Sequence, residues 1–259
     1  MSSSGWLLPG KEHDMRKLYE EKEVMFAVLW IVLYCVIVGT ARGNFGDESV
    51  HMLLALLVFA AAITVFVKSN HLEEKYGLAG WPKDMKKYLF FIPMWILATG
   101  NIWGGFALSC RGTALIFSVS SMILVGYVEE MIFRGFLLRA MLAGNTSAAA
   151  IIVSALTFGV GHIINLFTGH GSFETIMQIL FSVSLGFLFT MVCYRSGSII
   201  PCIIAHSVID VLSRFAADNE LADWIYVGTT IVVSIVYCIY LSRLDPANEE
   251  GRALSGTKA

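Results

Sequence analysis

An all-α, polytopic membrane protein is the fold class this sequence predicts, and three observations predict it. Of its 259 residues, 56% are hydrophobic and only 15% are charged. An average soluble domain carries roughly 25% charged residues. The apolar residues gather into runs near the ~20-residue length that a helix needs to cross a bilayer core. Lysine and arginine are distributed unevenly between the connections, as membrane topology requires.

The first 23 residues are polar, from Lys11 and Glu12 through Lys22 and Glu23. They read as a cytoplasmic N-terminal segment, not as a cleavable signal, because no apolar stretch follows a short basic start. About eight spans follow, near 24–40, 50–67, 88–109, 114–142, 148–167, 174–194, 197–213 and 222–242. The fourth is long. The seventh is short, and Pro201 sits in its first turn, where a missing N–H costs nothing. Between the second and third spans, "KSNHLEEKYGLAGWPKDMKK" is a polar connection with an interfacial piece around Tyr76, Leu78 and Trp81. Residues 243–259 form a polar tail.

With the N-terminus cytoplasmic, fourteen lysines and arginines fall on the inner side and three on the outer, namely Arg42, Arg111 and Arg214. Arg134 lies within the membrane. The asymmetry puts both termini in the cytoplasm and makes the number of spans even. The net charge of −2 is uninformative, and no basic block points to a nucleic-acid partner. The five cysteines form no CxxC pair, and four lie in apolar runs, so they read as small hydrophobes.

Six ionisable residues do not belong in hydrocarbon: Glu129, Glu130, Arg134, His162, His206 and Asp210. Such residues mark function or a structural ion-pair network. Helical spacing separates the first three. Glu130 and Arg134, four apart, share a face and can pair. Glu129 is about 140° round the helix from Arg134 and is left for chemistry. In "FGVGHIIN", Phe158 and His162 share a face, and Gly159 and Gly161 permit close approach of another helix or a substrate. In "HSVID", His206 and Asp210 are four apart, so the carboxylate can bond the imidazole and set its tautomer. A carboxylate and two imidazoles suit general-base activation of water with stabilisation of an oxyanion, hence peptide-bond hydrolysis within the membrane. The same trio, Glu129, His162 and His206, also suits a divalent metal such as zinc.

"EEMIFR" matches the pattern EExxxR, "FGVGH" matches FxxxH, and "HSVID" stands where a third motif, HxxxN or HxxxB (B for Asn or Asp), is found. In this order, on the fourth, fifth and seventh spans, they resemble the CPBP family of CAAX prenyl endopeptidases and bacteriocin-processing enzymes, also called the Abi family. The resemblance covers roughly residues 70–240. It implies that residues 24–242 form a protease domain, with core motifs at 129–210 and a catalytic cavity open to the cytosol. It implies further that Glu129 is the general base and that His162 positions the water or binds a metal. His206 would stabilise the oxyanion, and Glu130, Arg134 and Phe158 would support the site. Asp210 departs from the asparagine of eukaryotic and archaeal CAAX proteases; an ionised aspartate cannot donate to an oxyanion. The resemblance implies a peptide or protein substrate, and the compact chain suits a prokaryotic plasma membrane, where leader peptides of bacteriocins or pheromones are candidate substrates. A non-catalytic bacteriocin-immunity or interaction protein of the same family is the alternative. A proton-coupled transporter would need a polar path or paired broken helices, and neither is visible.

Overall fold

The computed structural model describes residues 9–163 and 172–245, with the side chains of 9–14 and 172–174 excepted. Segments 1–8, 164–171 and 246–259, which include the start of the polar N-terminal segment, the end of the fifth expected span and most of the polar tail, lie outside the described residues. A short helix α1 (Pro9–Glu21) leads into α2 (Glu23–Phe45) and α3 (Val50–Ser69). A 3₁₀ turn (Met85–Phe91) and the seven-residue α4 (Ile92–Ala98) follow. Next comes one long unit of α5 (Thr113–Glu130), a π-helical segment (Met131–Leu137) and α6 (Leu138–Gly144). The chain ends with α7 (Ser147–Gly161), α8 (Ser172–Ser196), α9 (Ile200–Ser213) and α10 (Glu220–Ser242). The fold is an all-helical membrane bundle. Among the described residues, five helices are long and apolar enough to cross a bilayer, and α7 and α9 are shorter apolar helices.

Local chemistry sets several of these starts. The side chain of Ser49 accepts from the Met52 amide at 3.1 Å, that of Thr146 from Ala149 at 3.3 Å, and that of Asn219 from Ala222 at 3.1 Å. Each satisfies an amide that the first helical turn leaves without a partner. Pro201 stands at the start of α9, as its spacing predicts. Outward faces of α2, α3 and α10 leave Val36, Val58 and Val236 exposed, as a lipid-facing surface requires.

The third predicted span is corrected. Residues 88–109 form no continuous helix. Leu89, Phe90 and Phe91 take left-handed backbone angles with φ of 51°, 51° and 58°. Pro93 then begins α4, which ends at Ala98. Backbone groups freed by such a break must find partners inside the protein. They find them on α10, and a side chain of the segment itself reaches α9. Tyr237 Oη donates to the Tyr88 carbonyl, Tyr240 Oη to Lys87 O at 2.8 Å and Tyr226 Oη to Leu97 O at 2.8 Å. Asn101 Nδ2 donates to Ile209 O at 2.7 Å. The segment is held by side chains from elements that lie more than a hundred residues later, which no local pattern announces.

The bundle has two distinguishable ends. At one, the Lys75 end, Lys75 pairs with Glu23, the Ile199 amide bonds Gly77 O at 3.0 Å, and Arg195 bonds Ser242 O at 3.0 Å and also Leu244 O. At the other, the Arg42 end, Arg42 pairs with Asp47 at 2.7 Å, and Arg214 meets the same carboxylate at 3.6 Å. There the Ala107 and Ser109 amides bond Phe215 O and Arg214 O at 2.9 and 3.0 Å. The start of α2 and the end of α10 therefore share the Lys75 end. The interfacial role expected of Tyr76 is also corrected: it is 2% exposed and turns inward onto Phe136, 5.2 Å between ring centres, while Trp81 stays exposed.

Two close helix contacts carry the motif residues. A Cβ on Gly126 would lie 2.6 Å from the Ser207 amide, so α5 and α9 pack backbone to backbone beside His206. A Cβ on Gly159 would lie 2.7 Å from the Val183 amide, which locks α7 to α8. Gly161, the other predicted close-approach glycine, would meet nothing within 4 Å and instead borders a cavity.

Candidate active site

Glu129 and Glu130 end α5, and the helix then widens into the π segment that carries Arg134. Insertions of this kind recur at functional sites because they re-aim side chains. Arg134 Nη1 donates to Glu130 Oε1 at 2.7 Å with both side chains fully buried. Its second nitrogen donates to Gly186 O on α8 at 3.3 Å, and the guanidinium lies 4.2 Å from the centre of the Phe158 ring. The charge is thus met by a carboxylate, a carbonyl and an aromatic face.

Glu130 does more than pair with Arg134. His206 Nδ1 donates to the same Oε1 at 2.8 Å. This changes the expected partner of His206. Its hydrogen bond goes to Glu130, across 76 residues, and the contact of Nε2 with Asp210 Oδ2 is only 3.5 Å. At that length it is a charge contact near the limit of hydrogen bonding. Nε2 also faces Glu129 Oε2 at 3.8 Å. Three carboxylates therefore surround one imidazole, and Phe158 and Phe189 flank its ring at 5.6 and 5.9 Å.

Glu129 is not left free of partners. Tyr34 Oη, on α2, donates to Glu129 Oε1 at 2.6 Å. Sequence reasoning missed Tyr34. It is one of nine tyrosines, and nothing in its neighbourhood along the chain distinguishes it.

A cavity of about 60 Å³ lies between α2, α5 and α7, walled by Tyr34, Val38 and Arg42, by Glu129, and by Phe158 and His162. That is room for a few water molecules. His162 Nδ1 donates to Phe158 O at 3.2 Å, which fixes the ring against the helix end and leaves Nε2 for the cavity. Glu129 and His162 thus share one cavity. His206 reaches Glu129 from α9, and Glu130 and Arg134 lie sealed behind. An apolar groove between α2 and α7, lined by Ile31, Leu156 and Val160, adjoins the cavity and shares Cys35 and Gly161 with it.

The donors do not fit a metal as arranged. Among the described residues no three histidine, cysteine, aspartate or glutamate side chains come together as ligands.

No curated protein and no solved structure matches the chain. A family model described as type II CAAX prenyl endopeptidase Rce1-like matches residues 111–212, the stretch that runs from just before α5 to the end of α9 and carries Glu129, Glu130, Arg134, His162, His206 and Asp210. Over that stretch the chain is similar to the CAAX prenyl endopeptidases, a family of membrane-embedded endopeptidases.

Proposed function

We propose that the protein hydrolyses a peptide bond of a peptide or protein substrate at the membrane, with water activated by Glu129. One observation carries the reading. Of two adjacent carboxylates, Glu129 borders a water-sized cavity while Glu130 is fully buried and bonded to Arg134 and His206. In the cavity, Glu129 takes a proton from water, and the water oxygen attacks the carbonyl carbon as the C=O electron pair moves onto oxygen. His206 carrying both ring protons, with Nδ1–H held by Glu130, offers Nε2–H to that oxyanion. Tyr34, in the cavity wall, gives its one O–H to Glu129 and so holds the base in place. His162 Nε2 orients the water from the opposite wall. Collapse expels the amine, which takes the proton from Glu129. Electrostatic donors of this kind supply about 3–4 kcal/mol each when aimed at the developing charge.

Asp210 does not donate in this scheme; it adds negative charge beside His206 Nε2. No step passes through a metal, so activity of the purified protein survives a chelator. The compact chain supports a place in a prokaryotic plasma membrane. The test compares peptides released from membranes that carry the unchanged chain, Glu129→Gln or His162→Ala, with the termini read by mass spectrometry. A cleavage product that persists at an undiminished rate in Glu129→Gln overturns the mechanism. Protection of cells by Glu129→Gln against a bacteriocin, with no product from either form, supports the immunity role instead.

A further inference from the structure

Arg42 borders the cavity with Glu129 and His162, yet the hydrolytic scheme gives it nothing to do. Tyr34, Val38 and Arg42 stand at four-residue intervals on one face of α2, and all three line the wall. Tyr34 marks the level of the base, since its Oη bonds Glu129 at 2.6 Å. Arg42 lies eight residues further along, about 12 Å of helix axis. Among the described residues it is the one lysine or arginine that lines the cavity. Tyr34, His162 and Asp210 all lie within range of its charge.

This charge is held but not sealed. Arg42 Nε donates to Asp47 Oδ1 at 2.7 Å, in the turn that follows α2. The same carboxylate meets Arg214, at the end of α9, at 3.6 Å. Two guanidinium groups therefore stand against one carboxylate. The Arg42 side chain is 31% exposed, whereas that of Arg134, paired with Glu130, is fully buried. With Nε clamped, the planar group is fixed in direction. Its terminal nitrogens form the fork that matches a carboxylate in two parallel hydrogen bonds. An extended peptide advances about 3.3 Å per residue, so about 12 Å corresponds to three or four residues.

We infer that Arg42 binds a carboxylate of the substrate about three or four residues from the bond that is cut, and so selects peptides with an acidic side chain or a free carboxyl terminus there. The inference rests on the proteolytic reading for the bond that is cut, but the test reads binding and needs no turnover. The full chain, held in phosphatidylcholine nanodiscs, is offered four synthetic peptides of one apolar sequence. Two differ only in a free or an amidated C-terminus. Two are amidated and carry glutamate or glutamine at one inner position. The free-acid or the glutamate peptide is expected to bind about tenfold or more tighter than its amide partner. A preference confined to the first pair identifies the carboxyl terminus as the ligand, and one confined to the second pair identifies an acidic side chain. Arg42→Gln should reduce the preference to less than about twofold. Arg42→Lys keeps the charge without the fork and should lower it severalfold, which decides the matter if Arg42→Gln does not fold. Arg214→Gln loosens the same contact at Asp47 from outside the cavity and should keep the preference. Equal binding of acid and amide peptides by the unchanged chain, or binding of none, overturns the inference. So does a preference that survives intact in Arg42→Gln or Arg42→Lys. Loss of preference in Arg214→Gln as well assigns Arg42 to the Asp47 contact alone and also overturns it. Acid-selective binding with no product in the release assay removes the protease reading and leaves the carboxylate site standing, so the two failures are distinguishable.

Discussion

Tyr34 and Glu129, 95 residues apart, are joined by a hydrogen bond of 2.6 Å that ties the first long helix to the end of α5. A hydroxyl bonded to a carboxylate holds that carboxylate in one rotamer and keeps a donor beside it. Tyr34→Phe removes the O–H and little else. A hydrogen bond to a charged group is worth about 1.5–3 kcal/mol, so kcat falls by roughly 10- to 150-fold. Initial rates over a range of substrate concentrations check this. A role in positioning predicts that kcat falls with KM nearly unchanged; a fall confined to KM contradicts it.

Arg134 bonds the fully buried Glu130 at 2.7 Å, beside His206 Nδ1 at 2.8 Å. Arg134→Ala removes one of the two groups that bond the buried Glu130 carboxylate. Removal of one member of a buried pair costs about 3–5 kcal/mol. Thermal unfolding in detergent should show a large drop in midpoint, and the double variant Arg134→Met with Glu130→Gln should recover part of it. Equal stability of Arg134→Ala and the unchanged chain contradicts the assignment.

Asp210 stands where the family's asparagine is found, yet its contact with His206 is 3.5 Å while Glu130 holds the other ring nitrogen at 2.8 Å. Asp210→Asn is therefore expected to keep cleavage close to that of the unchanged chain, and Glu130→Gln to lose far more. Side-by-side release assays decide. If Asp210→Asn abolishes cleavage while Glu130→Gln preserves it, the tautomer of His206 depends on Asp210 after all.

Gly126 lets α9 approach until Ser207 backbone is within 2.6 Å of a would-be Cβ. Gly126→Ala must push α9, and with it His206, away from Glu129. Overpacking of this kind costs about 1–3 kcal/mol. Gly228→Ala on α10 meets nothing within 4 Å and is the control. Activity should fall in the first and persist in the second, with both proteins in the membrane. An unimpaired Gly126→Ala argues that the α5–α9 contact does not set the site.

Much of the site is legible in sequence because the period of the helix is fixed. Four-residue spacing pairs Glu130 with Arg134, and the structure contains that pair at 2.7 Å. Small residues foretell close approach, and Gly159 makes it against α8. Composition and run length determine the membrane-helical class. What sequence alone leaves open is the rotation and depth of one helix relative to another. That rotation gives Glu130, and not Asp210, the hydrogen bond of His206. It brings Tyr34 to Glu129 and sets tyrosines of α10 against the carbonyls of the broken third segment. The first group of features depends on neighbours within a turn, where geometry is nearly invariant. The second depends on packing between helices, where many registers satisfy the same apolar pattern and only the assembled side chains select one.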